Sequence, residues 1–515
     1  MTLELQLSSL WPVLGPLLGA LLVLVLDVLR PRDRVPHLVV TALALAGGAA
    51  GTLPGLLGDD PARAFCLPGG PCLYAAGSVA SGVQLLVLAG ATVALVLTWG
   101  HWARLATGRT PVLTALLLAA TGGLAAVPAA ADLATLLVAL ELATLPAVLL
   151  VALEQRPERE AGAVGGAVTL LMTAVVSFAV TAMGVALWVA ATGTAVLTPG
   201  PVVAAAAGDG AALLWLGAAT VVAGVGFKLS AVPFHVWTPV TYVTAPLPVT
   251  VFLAGASKAG ALGALLVVVR ALAPVSGATL VVIGLLAAVS MTLGNLLALR
   301  EQQLVRLLAW SAVAQTGWLL LPLAVVSSRA ERAAAGYLAV YVVATLLAFV
   351  VVAAVAARPG RGVDLEDHRW LGREHPVVAA VLGLALLALA GLPPAVVGLV
   401  AKVVALRPVA GEGMWWLAVV AAVNVALGIA VYLRWLAVVV SRWPVDEHGR
   451  EVPRPAPAQV ARTEQAREQA GSEPTGSPEA ALPEAPPRWS PAHLTLMAVL
   501  AGLLVAGSIA PVGVF

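Results

Sequence analysis

Apolar runs of about 20 residues recur along the whole of this 515-residue chain, and they constrain its fold more than any other feature. A run of that length is what an α-helix needs to cross the hydrocarbon core of a bilayer. Hydrophobic residues make up 60% of the chain and charged residues only 10%, whereas an ordinary soluble domain has about 25% charged residues. The sequence therefore predicts an all-α polytopic membrane protein with no large soluble domain.

The runs predict about fourteen transmembrane helices, the first a retained helix rather than a cleaved signal because it lacks a basic n-region. The helices are predicted near 9–29, 36–56, 77–99, 111–128, 132–153, 161–191, 211–233, 243–271, 277–299, 304–327, 333–357, 376–405, 413–441 and 490–513. Between the last two lies a polar segment, 442–489, that is rich in Pro, Glu, Arg and Ala. That composition is typical of a mostly disordered linker.

Arginine is distributed unequally between the two sides that these helices define. Nineteen arginines fall on one side and five on the other. The five are Arg63, Arg270, Arg329, Arg332 and Arg407. The positive-inside rule therefore predicts a protein of the cell membrane with segment 442–489 in the cytoplasm and both termini outside. Cys66 and Cys72 then share an outside loop, where a disulfide and two free thiols are equally compatible with the sequence.

All three lysines of the protein lie within predicted spans, and so does one glutamate. They are Lys228, Lys258, Lys402 and Glu141. Charges at this depth are costly and usually mark an ion or proton pathway. Burial lowers the pKa of a lysine and raises that of a carboxyl, while a nearby opposite charge reverses each shift. A Glu–Lys couple can therefore exchange protons near neutral pH, which arginine cannot do. A structural or snorkelling role is the alternative.

Prolines interrupt two of the spans that carry a lysine. Pro233 follows Lys228, and Pro393 with Pro394 precedes Lys402. Such interrupted spans, one in each half of a chain, are typical of inverted-repeat transporters with a site at mid-membrane depth. Ordinary proline kinks, which membrane helices tolerate, are the alternative.

The sequence offers no motif for a nucleotide, a metal or a redox centre. It has no glycine-rich phosphate loop, no CxxC pair, no histidine cluster and no basic patch interleaved with aromatic residues. We therefore expect no cofactor bound by this chain and no nucleic-acid partner.

Several stretches resemble subunit N of the proton-pumping NADH–quinone oxidoreductase, respiratory complex I. The clearest are GFKLSAVPFHVWTP at 226–239 and APLPVTVFLAGASKAG at 245–260. Stretches at 131–153, 294–321 and 365–402 agree with the family in the same order. The resemblance covers residues 10–440 and excludes the polar segment and the far C-terminus.

The resemblance implies an antiporter-like subunit with two inverted five-helix repeats, each containing a broken helix. It divides the chain into three N-terminal helices (1–110), a first repeat (111–271), a second repeat (277–441), the linker (442–489) and a C-terminal helix (490–515). It also implies that the chain moves protons when another module of the complex reduces quinone, and that its partners include other membrane-arm subunits. Flavin and iron–sulfur clusters are expected in partner subunits and not in this chain.

Residue roles follow from the same resemblance. Glu141 and Lys228 match the family's Glu–Lys pair, Lys258 its central relay lysine, and Lys402 the lysine of the second broken helix. Gln315 and His235 take supporting positions, as do the prolines of the two breaks. Since glutamine can order water but carries no proton charge at neutral pH, we expect a hydrated link at Gln315.

The chain departs from the family pattern at several positions, which indicates a divergent second copy. Gln315 stands where a His is common, and the small residues Ser311, Gly294 and Gly317 are expected to leave room for water beside it. The other departures are Val240 and Val243 in place of Asp and Glu, and Val164, Gly165 and Gly166 in place of Lys-Tyr-Phe.

Two other functions stay open. One is a subunit of a cation/proton antiporter, which the neutral stretch TYVTAP allows and the wording FKLSAVPFHVWTP disfavours. The other is a structural arm subunit that does not pump. The retained glutamate and the three lysines disfavour that second alternative.

Overall fold

The computed structural model describes residues 6–31, 34–67, 70–99, 109–153, 157–275, 278–358, 360–441 and 489–511. Within these ranges, 13 helical stretches are long and apolar enough to cross a membrane. A further helix, broken into two pieces between Pro376 and Gly411, makes a fourteenth crossing. The chain is a multi-pass helical membrane protein, as predicted.

The helices follow the predicted spans, with short additional helices between them. They are α1 (Trp11–Leu29), α2 (Arg34–Gly51), α3 (Leu53–Leu57), α4 (Ser78–Trp99), α5 (Arg109–Ala126), α6 (Leu133–Ala152), α7 (Pro157–Thr192), α8 (Pro199–Ala207), α9 (Ala211–Leu229), α10 (Trp237–Thr244), α11 (Leu247–Phe252), α12 (Lys258–Leu272), α13 (Ala278–Ala298), α14 (Leu304–Leu320), α15 (Ala330–Ala356), α16 (Leu371–Glu374), α17 (Pro376–Ala390), α18 (Val396–Gly411), α19 (Trp415–Val439) and α20 (Pro491–Ile509).

Two spans are interrupted, one in each of the predicted repeats. Helix α9 ends at Leu229, Ser230 takes a left-handed backbone with φ 61°, and the chain resumes as α10. Helix α17 ends at Ala390, Gly391 has φ 79°, and the chain resumes as α18. The predicted span 376–405 is therefore a broken helix, as its prolines and the family resemblance indicated, and the earlier helix ends four residues before the predicted 233. Proline has no backbone N–H, so a run that contains Pro393 and Pro394 cannot keep its helical hydrogen bonds.

A β-hairpin that the sequence analysis did not predict follows α3. Its strands, β1 (Ala62–Cys66) and β2 (Cys72–Ala76), pair antiparallel, and Cys66 and Cys72 form a disulfide. Tyr74 of β2 accepts a hydrogen bond from Gln84 of α4 at 2.8 Å. The hairpin is thereby attached to the N-terminal part of α4.

Three crossings form the centre of the bundle, and they carry Lys258 and Gln315 of the candidate site. The crossing formed by α11 and α12, together with α14 and α15, is almost fully enclosed by other helices, whereas α1, α2, α7 and α20 leave wide apolar faces exposed. The exposed apolar faces are the surfaces that lipid or partner subunits would cover.

Glycines bring α13 and α14 close together at this centre. A Cβ on Gly294 would lie 2.4 Å from the backbone N of Ala314, and one on Gly317 would lie 2.4 Å from Met291 Cγ. Both glycines therefore serve close helix packing. The expectation that they leave room for water is wrong.

The predicted linker 442–489 lies outside the described residues except for Trp489. The Trp489 ring packs between two residues of the loop before α17. Arg358 lies 4.5 Å from the ring centroid, and the His375 ring centroid lies 4.8 Å away. Trp489 thus fixes the start of α20 against this loop.

Candidate functional site

The three lysines lie where regular helix is interrupted. Lys228 is the penultimate residue of α9, and Lys402 lies in the second turn of α18, shortly after the second break. Lys258 is the first residue of α12 and directly follows a π-helical turn over Leu253–Ser257. Turns of this type contain one extra residue and are frequent at functional sites.

Lys228 contacts helix α6 through a threonine. Its Nζ donates a hydrogen bond to Thr144 Oγ1, and Thr144 donates to the carbonyl of Leu140. Glu141 lies one turn before Thr144 on the same face of α6. Glu141 and Lys228 interact electrostatically, and they form no direct ion pair among the described residues. Thr144 therefore lies at the junction between the two charged groups.

A small cavity lies beside Lys228, and its volume is about 40 Å³. Thr144, Thr173, Ser177 and Ser257 contribute polar groups to its lining. A buried water needs about 10–15 Å³ of such volume and two to four polar partners. The cavity therefore has room for a few waters between α6, α7 and α9.

Lys258 is bound by the carbonyl end of α9. The side chain is fully buried, and its Nζ donates to the Leu229 carbonyl and to Ser230 Oγ, the latter at 2.6 Å. Ser230 Oγ also hydrogen bonds to Thr238 Oγ1 of α10. The last carbonyls of a helix lack intrahelical donors and carry partial negative charge, so they favour a cation. The break itself thus provides the site for the ammonium group.

Lys402 is bound in the same way at the second break. Its Nζ donates to the carbonyl of Ala390, the last residue of α17, at 2.9 Å. The Nζ also lies 5.0 Å from the ring centroid of Trp318 on α14, within the range of a cation–π contact. A Cβ on Gly391 would lie 2.9 Å from Lys402 Cδ, so the break and the lysine pack directly together.

Gln315 is the centre of a polar network between the two breaks. Its Oε1 accepts a hydrogen bond from the Tyr337 hydroxyl, and its Nε2 donates to the Tyr432 hydroxyl at 2.9 Å. Tyr432 also hydrogen bonds to Ser311 Oγ at 2.6 Å. All four side chains are buried. Helices α14, α15 and α19 are joined here by side chains that carry no formal charge.

Helix α14 reaches both breaks from this network. On one side, Thr316 Oγ1 donates to the Leu229 carbonyl at 2.5 Å, the same carbonyl that binds Lys258. On the other side, Gln315 Nε2 lies 3.4 Å from the Leu389 carbonyl in the last turn of α17. Adjacent residues of one helix therefore contact the carbonyl ends of both broken helices.

The remaining predicted residues take different places. His235 lies in the first break, where its ring packs beside Trp310 with the centroids 5.4 Å apart. In the described chain, His235 has no hydrogen bond to any of the lysines. Pro233 and the pair Pro393–Pro394 lie in the breaks, and the peptide bonds before Pro233 and Pro394 are cis. The two cysteines belong to the hairpin rather than to this group of residues.

The hydrogen-bond partners of the lysines and of Gln315 were not predicted from the sequence. Among them, the tyrosines carry the clearest signal in the sequence. The protein has only five tyrosines, and Tyr337, Tyr341 and Tyr432 are buried inside spans rather than placed at the membrane interface. That unusual placement was readable from the sequence. The carbonyl acceptors were not readable, because they depend on where each helix ends and which helix packs against that end.

The described residues contain no group of three or more His, Cys, Asp or Glu side chains arranged to bind a metal ion. The polar groups that converge at the breaks are ammonium groups, hydroxyls, an amide and backbone carbonyls. Such groups can pass protons or order water.

Comparisons with known proteins agree with this architecture. The family model described as NADH:quinone oxidoreductase/Mrp antiporter, TM matches residues 130–428. A curated relative, NADH-quinone oxidoreductase subunit N 2 from Streptomyces griseus, is 40% identical over 441 residues, which is 82% of this chain and 80% of that protein.

Solved structures share the fold. A chain in the structure of respiratory complex I from Thermus thermophilus is 27% identical and superposes with a TM-score of 0.73 over 97% of each chain. A chain of the Mrp complex from Dietzia sp. DQ12-45-1b is 21% identical and superposes with a TM-score of 0.76 over 98% of this chain and 95% of that one. The second likeness is one of fold alone.

Proposed function

Because the chain belongs to the family of NADH–quinone oxidoreductase subunit N, we propose that it translocates protons across the cell membrane while other subunits reduce quinone. One observation carries this proposal. The ammonium groups of Lys228, Lys258 and Lys402 donate only to uncharged oxygen atoms within the described chain. These acceptors belong to threonine, serine and backbone carbonyls at the ends of broken helices.

Uncharged acceptors suit a group that must both bind and release a proton. A carboxylate in direct contact would fix the ammonium in its charged form, since separating a buried ion pair leaves an uncompensated charge. A carbonyl or hydroxyl accepts a hydrogen bond from a neutral amine as well as from an ammonium. The lysine can therefore keep its position in both protonation states. Arginine would not serve here, because the guanidinium group does not lose its proton.

The proposed path begins at Glu141 and Lys228, where the small cavity can hold water. It continues at the first break, because Lys258 binds the carbonyl of the residue that follows Lys228. From there α14 leads through Thr316 and Gln315 to the second break and Lys402. The network of Gln315 supports a route of hydroxyl groups, an amide and ordered water between the two lysines.

The partners of the chain are other membrane-arm subunits of a complex I type assembly. The exposed face of α6 supports a partner contact near the start of the path. Glu141 is partly exposed there, beside Val138 and Leu145, which are 69% and 55% exposed. A carboxylate cannot face lipid at low cost. We expect a neighbouring subunit to cover this face, and we expect flavin and iron–sulfur clusters to belong to partner subunits.

The experiment for this function replaces Lys228 in the assembled complex. Lys228→Ala should reduce the rate of proton translocation at least tenfold, which corresponds to about 1.4 kcal/mol or more of activation free energy, while complex assembly stays near wild type. Lys228→Arg should fail as well, because it keeps the charge but cannot release the proton. Proton uptake by proteoliposomes and native gels would measure the two quantities. Full pumping by an assembled Lys228→Ala complex contradicts the proposal.

Replacing sodium by choline in the same assay separates protons from a cation/proton exchange. The fold does not make this distinction, since the Mrp chain shares it. Proton translocation that persists without sodium agrees with the proposal. Translocation that requires sodium would favour the antiporter alternative.

We further propose that both termini lie outside and that segment 442–489 lies in the cytoplasm. The distribution of nineteen arginines against five supports this orientation. A cysteine introduced in that segment should resist a membrane-impermeant maleimide in intact cells and react after permeabilisation. Labelling of the segment in intact cells would reverse the topology.

A further inference from the structure

Four of the five arginines on the arginine-poor side meet at one crevice. They are Arg270, Arg329, Arg332 and Arg407. The crevice has a volume of about 1140 Å³ and lies between the ends of α4, α12, α15 and α18. Loops on this side of the membrane otherwise contain few arginines. The presence of four arginines in one crevice, from three separate stretches of the chain, therefore needs a local explanation.

Three of these guanidinium groups have no ion-pair partner among the described residues. Arg270 pairs with Glu331 of α15, whereas Arg329, Arg332 and Arg407 are exposed and form no described ion pair. Asp59 and Asp60 lie on the loop wall of the crevice, but neither forms an ion pair with these arginines in the described chain. The arginines thus keep their donor groups available to a ligand.

Another part of the lining is an apolar wall that belongs to the membrane-spanning helices. Val79 of α4, Ala333 of α15, and Val400 and Val404 of α18 line it. Arg407 lies three residues beyond Val404 on the same helix. The crevice therefore combines cationic groups at the level of the lipid headgroups with an apolar surface that continues into the hydrocarbon region.

We propose that this crevice binds an anionic phospholipid, with its phosphate on Arg329, Arg332 and Arg407. Guanidinium groups bind phosphate oxygens with paired, charge-assisted hydrogen bonds. A free phosphate would use the arginines alone. A lipid also uses the apolar wall, because an acyl chain can lie along Val400 and Val404.

The site has a consequence for helix α18. Lys402 lies on the same half-helix, two residues from Val400 and Val404, but its side chain is buried in the protein interior. A lipid on the outer face of α18 would brace the helix that positions Lys402. This consequence rests on the proposed function, whereas the lipid site itself does not.

The test measures lipid binding to the purified, delipidated complex. Native mass spectrometry with added phosphatidylglycerol would compare wild type with a variant carrying Arg329→Gln, Arg332→Gln and Arg407→Gln. Each arginine near a membrane surface contributes about fivefold to anionic lipid binding, so the triple variant should bind on the order of 100-fold more weakly. Arg63→Gln is the matched control, because Arg63 is exposed on the same side and does not line the crevice.

A second variant separates a lipid from a free anion. Val400→Trp fills the apolar wall and leaves the arginines in place, so it should weaken phosphatidylglycerol binding and leave binding of inorganic phosphate unchanged. Equal phosphatidylglycerol binding by wild type and the triple variant would overturn the proposal. So would inorganic phosphate that displaces the lipid at equal concentration, or a partner subunit that cross-links to the crevice and excludes lipid from the wild-type complex.

Discussion

At the scale of single residues, the candidate site is centred on three lysines and on the uncharged oxygen atoms that accept their hydrogen bonds. Lys228, Lys258 and Lys402 are conspicuous because they are the only lysines and all lie in apolar runs. Their acceptors include the carbonyls of Leu229 and Ala390, residues that carry no chemical signal. Backbone carbonyls become acceptors only where a helix ends, so they are found by locating the end rather than by reading a motif.

The surroundings of Gln315 differ from those that the sequence predicted. The sequence drew attention to this position, but it predicted space for water where Gly294 and Gly317 instead pack α13 against α14. The polar partners are tyrosines from α15 and α19, which lie 22 and 117 residues away in the sequence. Such distant partners come together only through helix packing.

Gln315→Leu should impair proton translocation. The leucine would leave the Tyr337 hydroxyl without its acceptor, at about 1–3 kcal/mol for a buried group left unsatisfied, while the Tyr432 hydroxyl keeps only its hydrogen bond to Ser311. Gln315→His should be tolerated, because imidazole also offers one donor and one acceptor. Proton uptake by proteoliposomes, with thermal stability measured in parallel, checks both. A Gln315→Leu complex that pumps normally would exclude this route and assign the two lysines to separate half-channels.

At the scale of helices, the two breaks are the elements that create the site. The sequence predicted that prolines interrupt these spans, and the structure adds that the chain leaves the helix before reaching the proline. Ser230 and Gly391 take the left-handed backbone first, at φ 61° and 79°. Serine and glycine at the end of an apolar run, followed by proline, were the local signal for the helix ends.

Gly391 provides a direct test of the second break. Gly391→Ala adds a Cβ 2.9 Å from Lys402 Cδ and forces a side chain into the left-handed region, which costs about 1–2 kcal/mol. We expect lower thermal stability together with slower proton translocation. Gly411→Ala is the control, because that glycine ends the same helix α18 and a Cβ there meets no atom within 4 Å. Equal pumping by the two variants would show that Lys402 does not depend on the geometry of the break.

One departure from the family pattern has a packing explanation at this scale. A Cβ on Gly166 of α7 would lie 1.9 Å from Thr244 Oγ1 of α10, and Thr241 Oγ1 donates to the Gly166 carbonyl at 3.3 Å. The glycine allows α10 to approach α7 closely. Gly166 on α7 and the uncharged residues of α10 beside it therefore form one close helix–helix contact.

At the scale of the whole molecule, hydropathy predicts the number of crossings, and packing decides which crossings are enclosed and which are exposed. Composition could not reveal that α14 and α15 are enclosed while α7 is exposed, because the hydropathy of α7 lies between those of α14 and α15. It also could not reveal the hairpin after α3, where β1 and β2 are only five residues each and lack a strong alternating pattern. The enclosed crossings are those that carry Lys258 and Gln315.

This arrangement places the proposed proton path along the centre of the bundle, from the α6–α9 pair through α14 to α18. The link between the first break and α14 depends on Lys258, because its ammonium binds the Leu229 carbonyl beside Lys228 and shares that carbonyl with Thr316 of α14. A path without Lys258 would lose the group that connects the Glu141–Lys228 pair with helix α14.

The most direct measurement of this account is therefore proton uptake by proteoliposomes that contain the complex with Lys258→Met. Methionine has a similar length and no titratable group, so it fits the buried site while removing the proton carrier. The rate of proton uptake per assembled complex should fall at least tenfold, which corresponds to about 1.4 kcal/mol or more of activation free energy, with assembly unchanged on native gels. Proton uptake at the wild-type rate by an assembled Lys258→Met complex would contradict it.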